Sequence, residues 1–347
     1  MKNRRNTMGL LPLMLLIVLL AGLVGCAPPD NTPERVVPAE SQNNETEGYE
    51  SEPTTSLPAE NEEDESDERH FAVGDTIRVG NLEITVVGYR ISEGEGFFTP
   101  RDDNNVFYLI DVAIANRGDA VESISSMLMF DLRDEDGFSI STSISATAMG
   151  RSGIDGAVMP GKVIRGELGY EIPRDSTGFN LQINPQAFGR SGLFSIGMDE
   201  TSNTPTNPDT LRSSRTGAEL QVGETFSSGD LEFVVNGVSM DGGSGFFTPD
   251  EGNTFLLIDV SVINNGSESA SISSMMMFTL RDSHGFSYSI SISAVAAGRG
   301  GLDGDVMAGS TLRGELGFEV PDGMTGLELF VSPDIFDRSG ITIVSLD

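Results

Sequence analysis

Val106-Phe-Tyr-Leu-Ile-Asp-Val-Ala-Ile-Ala-Asn116 is a run of β-branched and aromatic residues that stops at Asn116-Arg-Gly-Asp119. A pleated, largely buried strand closed by turn chemistry has this composition. The same pattern returns at 254–264. Outward from it, residues 126–133 alternate, with Leu128, Phe130 and Leu132 on one side, and 163–172 alternate less cleanly before Pro173. Asp134-Glu-Asp-Gly137 and Met159-Pro-Gly161 are further breaks. Roughly seven short strands at such spacing predict an antiparallel sandwich. No long segment has a 3.6-residue period, which argues against a helical domain.

Beyond residue 70 the chain repeats. Val73-Gly-Asp-Thr76 returns as Val222-Gly-Glu-Thr225, and Gly96-Phe-Phe-Thr-Pro100 recurs unchanged at 245–249. At an offset of 148, residues 123–173 and 271–321 share 34 identities in 51 positions. A period that long means two whole domains, whereas a solenoid would repeat every 20–50 or so residues. The expected organisation is an export signal at 1–25 and a tether at 26–70, then a first domain at 71–198, a linker at 199–217 and a second domain at 218–347. The fold class is therefore all-β, with two tandem immunoglobulin-like antiparallel sandwiches. Either domain is long enough to hold a core without disulfides.

The amino terminus carries Lys2, Arg4 and Arg5, then an apolar run over 10–20, the form of an export signal. It ends Leu23-Val24-Gly25-Cys26, which resembles the bacterial lipobox. That resemblance implies diacylglyceryl transfer to Cys26, cleavage after Gly25 and acylation of the new amino terminus. Cys26 is the only cysteine of the chain. The implied partner is membrane lipid, held through acylated Cys26 on the extracytoplasmic face of the cell membrane. Ala27 follows the cysteine, so no Asp sorting signal stands there. In a two-membrane host that points to the outer membrane. Residues 27–70 are rich in Asp, Glu, Pro, Ser and Thr, and are expected to form a disordered spacer.

Taken in order, Val-Gly-Asp-Thr, Leu82-Glu-Ile-Thr-Val86, Tyr108-Leu-Ile-Asp-Val-Ala-Ile-Ala-Asn116 and Phe130-Asp-Leu-Arg-Asp134 form a series closed by Met159-Pro-Gly161. This series resembles the telokin-like, immunoglobulin-like extracellular domain of unknown function found in bacterial lipoproteins. That domain is related in fold to a mycobacterial immunoprotective secreted antigen. The resemblance implies a sandwich and supplies no catalytic residue.

Composition narrows function. With 53 acidic and 21 basic side chains the formal charge is −32, which repels phosphate backbones and excludes nucleic acid as a partner. Only His70 and His284 are present, too few for a His-rich zinc site or a haem ligand pair. No cofactor is called for, and no nucleophile–base pair stands out, so the chain is expected not to be an enzyme. Asp102, Asp103, Asp134 and Asp136 lie in turns that could offer oxygen to calcium. The Asp136 position is His284 in the second copy, so solvated turns explain these residues better. Asp155 and Asp303, in matching turns, are expected to bond their own backbone.

The candidates for protein contact are hydrophobic. Phe97, Phe98, Phe246 and Phe247 sit between glycines and Thr-Pro, and one Phe of each pair is expected in the core and the other exposed. On the alternating segment, Met127 and Met129, repeated as Met275 and Met277, fall on the face opposite Leu128 and Phe130. Such a face is expected to be covered, by a crossing loop, another sheet edge, the sister domain or a partner. The expected function is display of two binding or scaffolding domains to an envelope or extracellular protein. The alternative is a receptor holding calcium or a small envelope solute between acidic loops.

Overall fold

The computed structural model describes residues 32–36, 70–185, 192–214, 219–334 and 340–347. The export signal, Cys26 and nearly all of 27–69 lie outside the described residues.

Each repeat is a sandwich of two sheets. In the first copy, one sheet runs in the order Glu34–Val36, Thr76–Val79, Leu82–Ser92, Asn105–Asn116 and Val163–Pro173. The facing sheet runs His70–Val73, Phe194–Thr201, Asn180–Ile183, Phe130–Arg133 and Ser139–Ile140. All pairs are antiparallel except His70–Val73 against Phe194–Thr201. The second copy repeats this with Thr225–Ser228, Leu231–Asp241, Asn253–Asn264 and Thr311–Pro321 facing a five-stranded sheet that ends on Ser287–Tyr288. The two copies are therefore tandem antiparallel β-sandwiches. Alternate side chains fill each interior: Tyr108, Ile110, Val112 and Ile114 meet Leu132, Leu181 and Ile196 in the first copy. Leu256, Ile258, Val260 and Val262 meet Leu280 and Leu329 in the second.

Asn105–Asn116 is buried on both faces, which accounts for its nearly unbroken apolar run. Phe107 and Leu109 on its outer face pack under Ala146 of the helix Ile144–Ala148, whose amino end Ser143 caps. That helix lies close on the sheet because Gly169 has no side chain. A Cβ there would stand 2.4 Å from the Thr147 nitrogen, and one at Gly166 would stand 2.3 Å from the Ser152 oxygen. Gly317 and Gly314 do the same in the second copy. The shared Arg-Gly-Glu-Leu-Gly motif is thus the seat for the segment that crosses the sheet. Asn116 and Asn264, both buried, satisfy their amides on carbonyls of Val158 and Val306.

Three expectations are corrected. First, Glu34–Val36, expected within a disordered spacer, pairs with Thr76–Val79 as an edge strand. Arg35 reaches the buried Asp75 at 2.8 Å and covers the Phe71 ring, and these contacts offset the entropy of ordering the segment. Second, the expected linker is packed. The strand Phe194–Thr201 runs into it, and Leu211 closes a small apolar cluster with Ala113, Ala115 and Val163. Third, 126–133 is not one strand: Ser126–Met129 is a single helical turn, and the strand starts at Phe130. That turn shifts the alternation, so Leu128 is exposed and Met129 is buried.

Candidate binding surface and the junction between the copies

The duplicated Gly-Phe-Phe-Thr-Pro segments form the same tight turn. Glu95 and Phe98 exchange backbone hydrogen bonds of 2.8 and 3.0 Å, and Ser244 and Phe247 exchange bonds of 2.8 and 3.1 Å. Gly96 and Gly245 take the left-handed conformation that such a turn requires, with φ of 59° and 65°. Gly94 and Gly243 admit the returning strand: a Cβ on either would sit 2.2 Å from the carbonyl oxygen of Phe98 or Phe247. Both turns put one phenyl ring at the tip. Phe97 and Phe246 are fully exposed, and Phe98 and Phe247 are 43% exposed. The expectation that one member of each pair is core is corrected accordingly.

The methionines split. Met127 and Met275 are exposed, whereas Met129 is buried and Met277 packs on the second core. The helical turn that carries them is held by Asp155 rather than by a serine cap. Asp155 accepts the Ser126 N–H and the Ser126 hydroxyl, both at 2.7 Å, and Asp303 binds Ser274 in the same way. These carboxylates therefore bond a distant segment and not their own turn.

The acidic turns use their oxygens internally. Asp102 accepts from the backbone and side chain of Asn104, and Asp134 accepts the N–H groups of Asp136 and Phe138. Asp103 and Asp136 point to solvent. Among the described residues no three acidic, histidine or cysteine side chains converge as a metal site.

Several carboxylates are set in arginine pairs. Burial alone would raise the Glu167 pKa, but hydrogen bonds from Arg90 and the Arg151 N–H outweigh it and hold the group below its ordinary value. Glu83 behaves likewise between Arg78 and Arg117. Arg165 grips Asp111 through two bonds of 2.9 and 2.7 Å, and Arg313 grips Asp259 equivalently.

The two copies meet in a junction that the sequence did not announce. The turn 282–286 of the second copy adds to the sheet edge of the first: the Arg165 N–H donates to the Gly285 carbonyl at 3.0 Å. Phe286 lies between the guanidinium groups of Arg151 and Arg165, at 5.0 and 4.8 Å from its ring centre. Gly285 is obligatory, since a Cβ there would lie 2.6 Å from the Val163 oxygen. Beside this contact Lys162, 0% exposed, donates to Glu219 and Glu328, both at 2.7 Å. Arg281 is buried on Phe330 and donates to the Ala157 carbonyl, and burial lowers its pKa to about 10. A cleft of about 400 Å³ runs along this seam, lined by Asp155, Met276, Arg281 and Phe330 among others.

The family model described as "Domain of unknown function (DUF4352)" matches residues 71–192 and again 220–341. The chain belongs to the DUF4352 family. No curated protein matches the chain. Among solved structures, the yjhA protein from Bacillus subtilis is similar at 25% identity, with 37% of this chain and 99% of that one covered and a TM-score of 0.29. An uncharacterized beta-sandwich protein from Clostridium difficile 630 matches at 11% identity over 37% of this chain and 95% of that one, with a TM-score of 0.28. A Bacillus subtilis protein described as "a putative lipoprotein (ycdA)" matches at 12% identity over 52% and 70%, also with a TM-score of 0.28. Both DUF4352 copies carry the exposed phenylalanine turn. Among the described residues no helix is long and apolar enough to cross a membrane.

Proposed function

We propose that this tandem DUF4352 protein is a lipid-anchored, non-enzymatic envelope protein that binds a protein partner through its phenylalanine turns. The observation that carries this reading is the identical turn in both copies. Each turn spends two left-handed or closely packed glycines to hold one phenyl ring fully in water. Leaving such a ring exposed forfeits ~1.5–3 kcal/mol of burial, which a binding role recovers when a partner covers it. Met127 and Met275 extend the apolar exposed surface of each copy. The anchor is Cys26, acylated after cleavage at Gly25, which holds the protein on the extracytoplasmic side. The docked strand Glu34–Val36 begins only eight residues after that cysteine, so the spacer before the first fixed segment is short.

The test is chemical crosslinking of intact cells, with neighbours identified by mass spectrometry, for the natural chain and for Phe97→Ser with Phe246→Ser. A neighbour lost in the double variant, at unchanged protein level and thermal midpoint, supports the proposal. An unchanged set of neighbours refutes the role of the turns.

A further inference from the structure

The junction within the chain is a plug in a socket, and the chain carries a second copy of each. The plug is the turn 282–286 and the socket is the Arg151–Arg165 face of the first copy. The first copy has the same plug. In Asp134-Glu-Asp-Gly137-Phe138 the Asp134 N–H bonds the Phe138 carbonyl at 3.1 Å and Gly137 has φ of 85°. In the docked turn the Asp282 N–H bonds the Phe286 carbonyl at 3.1 Å and Gly285 has φ of 91°. Yet Phe138 is 70% exposed, and a Cβ on Gly137 would meet nothing within 4 Å. The second copy keeps both arginines of the socket, although Arg299 bonds Glu315, whose first-copy counterpart Glu167 is held by Arg90. Arg299 and Arg313 stand where Arg151 and Arg165 stand, with Arg313 oriented by Asp259 as Arg165 is by Asp111. Both are well exposed, and the cleft between them is open. Among the described residues nothing pairs with Arg313 as Phe286 pairs with Arg165.

We infer that the protein assembles head to tail with further copies of itself, Phe138 of one chain entering the Arg299–Arg313 socket of the next. The occupant is a second copy because the intramolecular junction shows the equivalent turn seated on the equivalent arginines. The substitutions between copies agree with it. Lys162 and Glu328, which pair across the internal junction, are Ser310 and Asn180 at the matching positions. Both charges are absent together, so neither is left buried without the other in the junction between chains. Ala157, whose carbonyl receives Arg281, becomes Asp305, which would face Arg133 of the incoming plug. Ser152, which accepts the Ser287 N–H, becomes Gly300, so one hydrogen bond is lost. The contact between chains is therefore weaker than the internal one and needs a high local concentration. A heterologous contact of this type repeats without closing unless its rotation forms a ring.

The test places the photo-crosslinking residue benzoylphenylalanine at position 138 of the full chain and irradiates the producing cells. The expected product has the mass of two or more chains, and its crosslinked peptide joins position 138 to residues 299–314. Arg313→Gln in the same chain is expected to cut that product about tenfold, equivalent to ~1.4 kcal/mol. The thermal midpoint should fall only slightly, because the Arg313–Asp259 pair that is lost is solvent-exposed on its arginine side. Phe138→Ser should abolish concentration-dependent mass growth in sedimentation of the natural chain. Crosslinks only to another protein, crosslinks between chains at other segments, or a folded chain that yields no crosslinked product would each overturn the inference.

Discussion

Replacing Lys162 by Met should loosen the junction more than any other single change at that seam. The side chain is fully buried, and its ammonium donates to Glu219 and Glu328 at 2.7 Å each. The methionine fills nearly the same space, so the loss is electrostatic. Two carboxylates, themselves nearly buried, would remain without their shared cation. Breaking a buried ion pair from one side costs ~3–5 kcal/mol. Arg281, close enough to Glu328 to influence it, places the expected value at the lower end. With a urea dependence of ~3 kcal/mol per molar, the midpoint should fall by about 1 M. Because Lys162 comes from the first copy and Glu328 from the second, the loss should appear as decoupling. A single urea transition, followed by far-ultraviolet circular dichroism, should separate into two. Adding Glu219→Gln and Glu328→Gln to the lysine change should recover most of the midpoint, since neither side chain then keeps a buried charge that has lost its lysine. A shift below about 0.3 M for Lys162→Met, or no recovery in the triple variant, would refute the argument that this ion cluster locks the copies.

Other outcomes follow from the same geometry. Asp155→Ala and Asp303→Ala, each removing two hydrogen bonds to a carboxylate, should cost ~1.5–3 kcal/mol in denaturant unfolding. Phe97→Ser and Phe246→Ser should change stability by less than ~0.5 kcal/mol, whereas Leu132→Ala and Leu280→Ala, wholly buried, should cost ~2–5 kcal/mol in the same assay. Glu83, Glu167 and Asp259 have pKa values held below their ordinary ones in the folded protein. Their contribution is complete above the ordinary carboxylate range and is lost as pH falls through the lowered folded values. Thermal midpoints should therefore be flat near neutrality and drop on acidification, less steeply in Glu167→Gln than in the natural chain.

The strands and the duplication were legible because both rest on pattern. The apolar run 106–116 and its return at 254–264 mark the central strand of each sandwich, and turn residues mark its ends. Single helical turns were not legible. Four residues, Ser126–Met129, are too few to show a period, and they reverse which side chains face the core. Docking of Glu34–Val36 was hidden because three residues in an acidic, proline-rich stretch carry no strand signal of their own. The junction left two clues. Lys162 is the only lysine after Lys2, and its partner position changes with it between copies. Phe138 and Phe286 follow the same Asp-x-x-Gly turn, but only the fold distinguishes the docked ring from the free one.

The central functional claim is that this DUF4352 protein is held at a membrane by lipid on Cys26. Mass spectrometry of the amino-terminal peptide from the membrane fraction tests it most directly. The account predicts a peptide that begins at Cys26 and carries a diacylglyceryl group, absent from a Cys26→Ala chain that is released or left uncleaved. A natural chain that begins elsewhere, or that carries an unmodified Cys26 while remaining in the membrane fraction, would contradict it.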